Sequence, residues 1–208
     1  MGSPHNDETS SREGGSPVVW TVGHSNHTLD RFLELLSAHR IDVLVDVRSQ
    51  PYSRFTPHFS REALHRSVTD AGLRYLFMGR ELGGRPAGGF LYDEEGYVRY
   101  DAIAESPRFR AAIARVSAVL ARWNAALLCA EEDPIHCHRR LLVGRVLHDR
   151  GVRVAHLRAD GGVEPEDEVA ARDRSPTAQL RLFDEEARPW RSTRSVSPRG
   201  RRRPSSGH

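Results

Sequence analysis

Residues 41–48 read Ile-Asp-Val-Leu-Val-Asp-Val-Arg. Apolar, mostly β-branched residues fill this run, broken only by Asp42 and Asp46. A half-exposed strand would alternate apolar and polar. A nearly continuous apolar run fits a strand covered on both faces, as in a parallel sheet. Upstream, Val18-Val19-Trp20-Thr21-Val22 is a second short β-branched run, closed by Gly23. Between the two, Thr28 is placed to cap a helix through His39, with Phe32, Leu33, Leu35 and Leu36 on its apolar face. Downstream, Ser60 is expected to cap a helix ending near Gly72, and residues 73–78 read as a third strand. Residues 79–97, with their Gly pairs and Pro86, read as a long irregular loop. Ser106-Pro107 opens a helix to about Trp123. Strands at 125–129 and 152–157 flank a helix from about His138 to Gly151. Strands alternating with helices predict one three-layer α/β domain over residues 17–160, with a mainly parallel sheet and helices on both faces. Residues 1–16 read as a disordered leader. Residues 161–208 read as a mostly disordered tail, with an acidic, helix-compatible stretch at 164–174.

The chain has 208 residues, 38% hydrophobic and 28% charged, enough for one core. No apolar run reaches the roughly 18 residues of a spanning helix. Mean hydropathy is −0.57, and the polar start lacks the basic-then-apolar order of a signal peptide. These features predict a cytoplasmic protein that does not enter membranes. All 31 basic residues are Arg, which excludes lysine Schiff bases, P-loop lysines and Ser–Lys dyads. Two Cys cannot build a disulfide framework and are expected to be reduced. The net charge of +3 hides an asymmetry: residues 187–208 hold seven Arg and no acid, so the other 186 residues sum to −4. A basic tail suggests an acidic partner, nucleic acid first.

In doubly wound sheets, sites form beyond the C-terminal strand ends. Those ends carry Gly23-His24-Ser25-Asn26, Asp46-Val47-Arg48 and Cys129-Ala130-Glu131, and His136-Cys137-His138-Arg139 opens the following helix. Cys137, at a helix start among His and Arg, is the candidate nucleophile with a lowered pKa. Asp46 and Glu131 are candidates for paired acid–base work, against the plainer reading of salt bridges to Arg48 or Arg139. His24 is a candidate base or ligand. Arg48 and Arg139 offer planar donors for phosphate, with Ser25, Asn26, Arg54 and His138 as further substrate contacts. A metal reading takes Cys129, Cys137 and His138, with His24 or Asp46 as a further ligand, to hold Zn or Fe, although the spacing is not a standard zinc pattern and Cys129 also reads as a small buried hydrophobe. The His-Cys start is similar to a cysteine-phosphatase loop, but Val143 stands where that loop needs Arg. The loop 48–59 interleaves Arg with Tyr52, Phe55 and Phe59, either to stack a base or to seal the core edge.

The motifs T-V-G-H-S-N (21–26), V-D-V-R (45–48), E-L-G-G (81–84), C-x-E (129–131) and C-H-R (137–139) occur in that order. Together they resemble the bacterial family called domain of unknown function 488, over about residues 18–158. The resemblance implies an α/β domain with a shared polar site and supplies no reaction. In the tail, Gln179-Leu180-Arg181-Leu182-Phe183 matches the Q-L-x-L-F pattern with which bacterial proteins dock on the DNA sliding clamp. In that mode Gln179 bonds the pocket rim while Leu180, Leu182 and Phe183 supply the apolar hook. The first expectation is therefore an enzyme acting on nucleic acid or a nucleotide-like substrate in DNA maintenance, such as repair. The alternatives are a non-catalytic nucleic-acid-binding adaptor and a small-molecule thiol or metal enzyme.

Overall fold

The structure, a computed structural model, describes residues 16–173 and 189–196. The chain runs β1 (Val18–Gly23), α1 (Leu29–Ala38), β2 (Val43–Asp46), α2 (Arg61–Asp70), β3 (Arg74–Phe77), α3 (Gly79–Leu82), α4 (Tyr100–Glu105), α5 (Pro107–Leu120) and β4 (Ala125–Cys129). A π-helical turn, Arg139–Gly144, then continues into α6 (Arg145–His148), β5 (Arg153–Leu157), β6 (Val163–Pro165) and α7 (Glu166–Asp173). The six strands form one sheet in the order β3-β2-β4-β1-β5-β6. Its first five strands are mutually parallel and β6 is antiparallel to β5. No helix among the described residues is long and apolar enough to cross a membrane.

The side-chain period of two divides the core. Leu44, Ala126 and Leu128 face α1 and α2, against Phe32, Leu36, Leu64 and Val68. Val43, Val45, Ala125 and Leu127 face the other side, against α3 to α6. Both faces are covered, which is why 41–47 and 125–129 read as continuous apolar runs. Thr28 caps α1 by accepting from Arg31 N at 3.2 Å, and Ser106 caps α5 by accepting from Phe109 N at 3.2 Å. Ser60 sits at the N-cap of α2 but makes no cap bond; its hydroxyl accepts from Ser53 N instead.

The stretch 79–97 is less irregular than expected. It opens with α3, whose Leu82 is buried in the core. The domain also continues past residue 160. A turn at Gly161 (φ +97) brings β6 back along β5, and α7 buries Val169. Glu166 on α7 binds His156 on β5 and Arg140 on the π turn. Residues 189–196 are likewise ordered. Trp190 donates from Nε1 to Leu141 O at 2.8 Å, and its ring lies 4.4 Å from the Arg145 guanidinium. Arg191 pairs with Asp93 and Glu95, and Ser192 exchanges bonds with the backbone of Val98. The expected domain end at 160 and the disorder expected beyond it are thus corrected at β6 and at 189–196, while α7 falls within the stretch 164–174 read as helix-compatible. Residues 1–15 of the leader, the docking residues Gln179, Leu180, Leu182 and Phe183, and most of the Arg-rich end lie outside the described residues.

Candidate active site

The chain steps from β1 over to β2 and β3, then returns to place β4 between β2 and β1 and moves on to β5. A sheet of this kind leaves a crevice where the direction of winding reverses. Here that crevice is a cleft of about 400 Å³ at the ends of β1, β2 and β4, lined by His24, Arg48, Cys129, Glu131, Cys137 and His138 among others. The register sets Gly23 beside Cys129 and Asp46 beside Leu128. Cys129 therefore continues the face of Ala125 and Leu127, and Asp46 continues the opposite face of Leu44.

That parity decides the fate of Asp46. Its carboxylate is fully buried and does not line the cleft. It accepts from Arg48 Nε (2.9 Å), Arg48 Nη2 (2.6 Å), Arg48 N (3.1 Å) and Tyr75 OH (2.5 Å). Every lone pair has a partner, so acid–base work paired with Glu131 does not fit. Arg48, held this way, also donates from Nη1 to Phe59 O at 2.8 Å and keeps one edge on the cleft. Beside Asp46, Tyr75 is pushed far above the usual phenol value by burial and by the carboxylate charge.

Arg139 also departs from expectation. It is fully buried. Nε donates to Thr21 Oγ1 at 3.2 Å, Nη2 to Glu132 O at 2.6 Å, and Nη1 to Glu131 O. It shapes the 131–132 loop and presents no donor to a substrate. Thr21 in turn bonds His156 Nδ1 at 2.7 Å, and His156 reaches Glu166 at 2.9 Å. The same loop lies so close to β1 that a Cβ on Gly23 would stand 1.8 Å from Glu131 O. Glu131 itself, unpaired with Arg139, keeps its side chain exposed on the cleft.

The two sulfurs and the His138 ring form the centre. Cys129 Sγ lies 3.7 Å from His138 Nδ1, and His138 Nε2 sits 3.0 Å from Val47 O. A carbonyl only accepts, so Nε2 carries the proton and Nδ1 faces the sulfurs. The lowered pKa expected for Cys137 falls to its neighbour instead. Cys129 is brought down to about 7, first by the bond it accepts from the Cys137 thiol, then by the Arg139 charge and the Ala130 and Glu131 amides. Burial and donation to Cys129 push Cys137 well above the ordinary thiol value. Cys137 precedes the π turn, but its sulfur is enclosed. His24 stacks on Phe59 at 4.5 Å and donates Nδ1–H to Ser25 O at 2.9 Å. Burial and the Arg48 charge lower its pKa to about 4, so at neutral pH it is an uncharged acceptor and a poor base.

Ser25, Asn26 and Arg54 do not line the cleft. Ser25 holds a left-handed backbone (φ 46) and donates its N–H to Ala130 O at 2.9 Å. His136, named with the helix start but given no role, lines the cleft, and sequence reading missed Tyr100, Arg85 and the strap Ser192–Arg194, which complete its wall. The signal for the strap was Trp190, a large apolar side chain alone in an Arg/Ser/Pro tail.

The family model described as "Domain of unknown function DUF488" matches residues 28–146. The chain belongs to this DUF488 family. Comparison with curated proteins and with solved structures gives no match. The matched segment of this DUF488 domain holds Arg48, Cys129, Glu131, Cys137 and His138, while His24 and the strap lie outside it. One helix turn is under-wound where these residues cluster, and π turns concentrate at functional sites. A buried low-pKa thiol, a second thiol, an oriented imidazole and an exposed carboxylate in one cleft can support nucleophilic or metal-assisted chemistry.

Proposed function

We propose that this DUF488 domain is an enzyme that takes one nucleotide unit of a nucleic acid, or a nucleotide-like molecule, into the strand-end cleft and acts on it with the Cys129–Cys137–His138 cluster. The observation that carries this reading is the charge of the cleft wall. Exposed Arg85 and Arg194 flank the cluster, Arg48 shows it one edge of a guanidinium whose charge Asp46 balances, and Glu131 is the single carboxylate among the described lining residues. Guanidinium groups suit phosphate oxygens, and the cleft's bias is for an anion. Tyr52, 73% exposed on the cleft wall, offers a flat face for a base. A cleft of about 400 Å³ falls within the range of small-ligand pockets. A duplex does not fit, so a polymer substrate would enter as a single strand, an end or an extruded base. A role in DNA maintenance, with the tail docking on the sliding clamp through Gln179, Leu180, Leu182 and Phe183, rests on the sequence alone. Its test is a peptide spanning 176–186, expected to bind purified clamp and to lose binding with Phe183→Ala.

Fluorescence anisotropy of a labelled single-stranded oligonucleotide tests the cleft. Arg85→Glu/Arg194→Glu in the full chain should weaken binding at least about tenfold and make the salt dependence shallower by about one to two phosphate contacts. A nucleoside monophosphate should compete with the oligonucleotide in the wild type. Binding that is indifferent to the double reversal refutes the cleft as the nucleic-acid site and leaves the small-molecule reading.

A further inference from the structure

The geometry points to a mononuclear zinc site made by Cys129, Cys137 and His138, with its fourth position open to the cleft. The three donor atoms all lie within 4.8 Å of one another. Tetrahedral zinc with a sulfur at about 2.3 Å and a nitrogen at about 2.0–2.1 Å sets those two ligands about 3.6 Å apart. Cys129 Sγ and His138 Nδ1 stand 3.7 Å apart.

Four further features of the surroundings fit a metal. Val47 O occupies His138 Nε2, so the neutral ring turns its Nδ1 lone pair toward the sulfurs, the usual outer-layer arrangement of a metal-bound histidine. Gly84 lies so close that a Cβ there would stand 2.6 Å from the His138 ring, so the ring is held in place. Two thiolates and an imidazole are donors for zinc or iron and not for magnesium or calcium, and two cysteines with a single histidine fall short of the four ligands of an iron–sulfur cluster. The ion's charge balances two thiolates, so a bound centre adds no net charge beside the buried Arg139 guanidinium.

Three protein ligands with one open side are the pattern of a catalytic zinc, where structural sites close the fourth position with a protein ligand. All three ligands line the cleft, and among the described residues no fourth His, Cys, Asp or Glu joins the cluster. Glu131 lies on the same cleft wall without belonging to the cluster, a place from which a carboxylate can exchange a proton with metal-bound water. The site does not depend on which substrate the cleft takes.

The test uses the full chain, purified under reducing conditions without chelator. Elemental analysis should find about one zinc per chain, and cobalt exchanged into the site should show the thiolate charge-transfer and tetrahedral d–d bands. Cys137→Ser and His138→Gln, verified as folded by circular dichroism, should each weaken zinc binding at least about a hundredfold in a chelator competition, beyond the usual effect of losing an outer-layer partner. As a second measure, zinc should protect both thiols of the wild type from alkylation. Reduced protein that takes up less than a tenth of an equivalent from added zinc overturns the assignment. So do variants that bind as tightly as the wild type, and so does a Cys129–Cys137 disulfide that forms in the presence of zinc. None of these readouts involves the oligonucleotide, so their failure is distinguishable from failure of the nucleotide reading.

Discussion

Asp46→Asn removes one charge from a sealed ion pair and keeps the side chain's shape. Asp46 is fully buried and Arg48 is 5% exposed, so water screens neither partner. The substitution leaves the guanidinium enclosed with a neutral amide, part of which now points donors at donors. Removing one member of a buried pair costs about 3–5 kcal/mol, chiefly because the other charge stays buried and unpaired. With a urea m-value of about 2 kcal/mol/M, the unfolding midpoint should fall by about 1.5–2.5 M. Tryptophan fluorescence reads the transition. The double variant Asp46→Leu/Arg48→Met removes both charges. It still strips Tyr75 OH of its acceptor and Phe59 O of its donor, at about 1 kcal/mol each. It should therefore be more stable than Asp46→Asn alone. A single variant within 1 kcal/mol of wild type, or a double variant that loses the sum of both singles, would refute the assignment of Asp46 as a structural anchor for Arg48.

Gly84→Ala should push the His138 ring off the sulfurs and weaken zinc binding by about tenfold to a hundredfold with an unchanged far-UV spectrum; unchanged chelator competition would count against the clamped ring. His156 has its pKa lowered, first by burial. The unfolded chain then binds the proton more readily, so stability is complete above about pH 6.5 and falls as pH drops below it. His156→Asn should flatten that slope in urea titrations between pH 7 and 5, and an unaltered slope would rule His156 out as its source. Trp190→Ala should loosen the strap by about 1.4 kcal/mol or more, so trypsin should cut at Arg191 and Arg194 at least about tenfold faster, read by mass spectrometry; equal cleavage rates would show that Trp190 does not anchor the strap.

The layering was legible because it depends on composition over short windows. Continuous apolar runs at 41–47 and 125–129 encode coverage on both faces, and Thr28 and Ser106-Pro107 encode helix starts through local hydrogen bonds. The clustering of Cys129, Glu131, Cys137 and His138 was legible for the same reason, since a strand end and the next helix start are close in any fold of this kind. What was hidden depended on register. Nothing in the string Val45-Asp46-Val47 states that Asp46 pairs with Leu128 and so faces away from Cys129. One residue of slip would have put it in the cleft. β6 was hidden because a three-residue antiparallel edge with Pro165 has too little apolar content to stand out. The strap was hidden because its partners are 49 to 100 residues away in sequence.

Arg139 shows how burial changes the meaning of a motif. In sequence, C-H-R reads as a thiol beside a phosphate-binding guanidinium. In the fold, the guanidinium has no exposure, and its bonds go to Thr21 Oγ1 and two carbonyls, none of them a carboxylate. A buried cation without an anion is costly. In the metal-free protein the anion at hand is the sulfur of Cys129, whose pKa the Arg139 charge helps to lower. Arg139 thus acts on the same centre that the motif suggests, but from behind it. It closes the 131–132 loop over Gly23, which orients the Ala130 and Glu131 amides toward Cys129, and it favours negative charge on that sulfur. The exposed Arg85 and Arg194 are left to meet the substrate. Arg139→Met should therefore raise the Cys129 pKa, read as a shift of the alkylation profile of metal-free protein to higher pH, while oligonucleotide affinity of the folded variant stays within about threefold of wild type. A loss of affinity as large as that of Arg85→Glu/Arg194→Glu, with no shift in the profile, would return Arg139 to the substrate and refute its place behind the thiol.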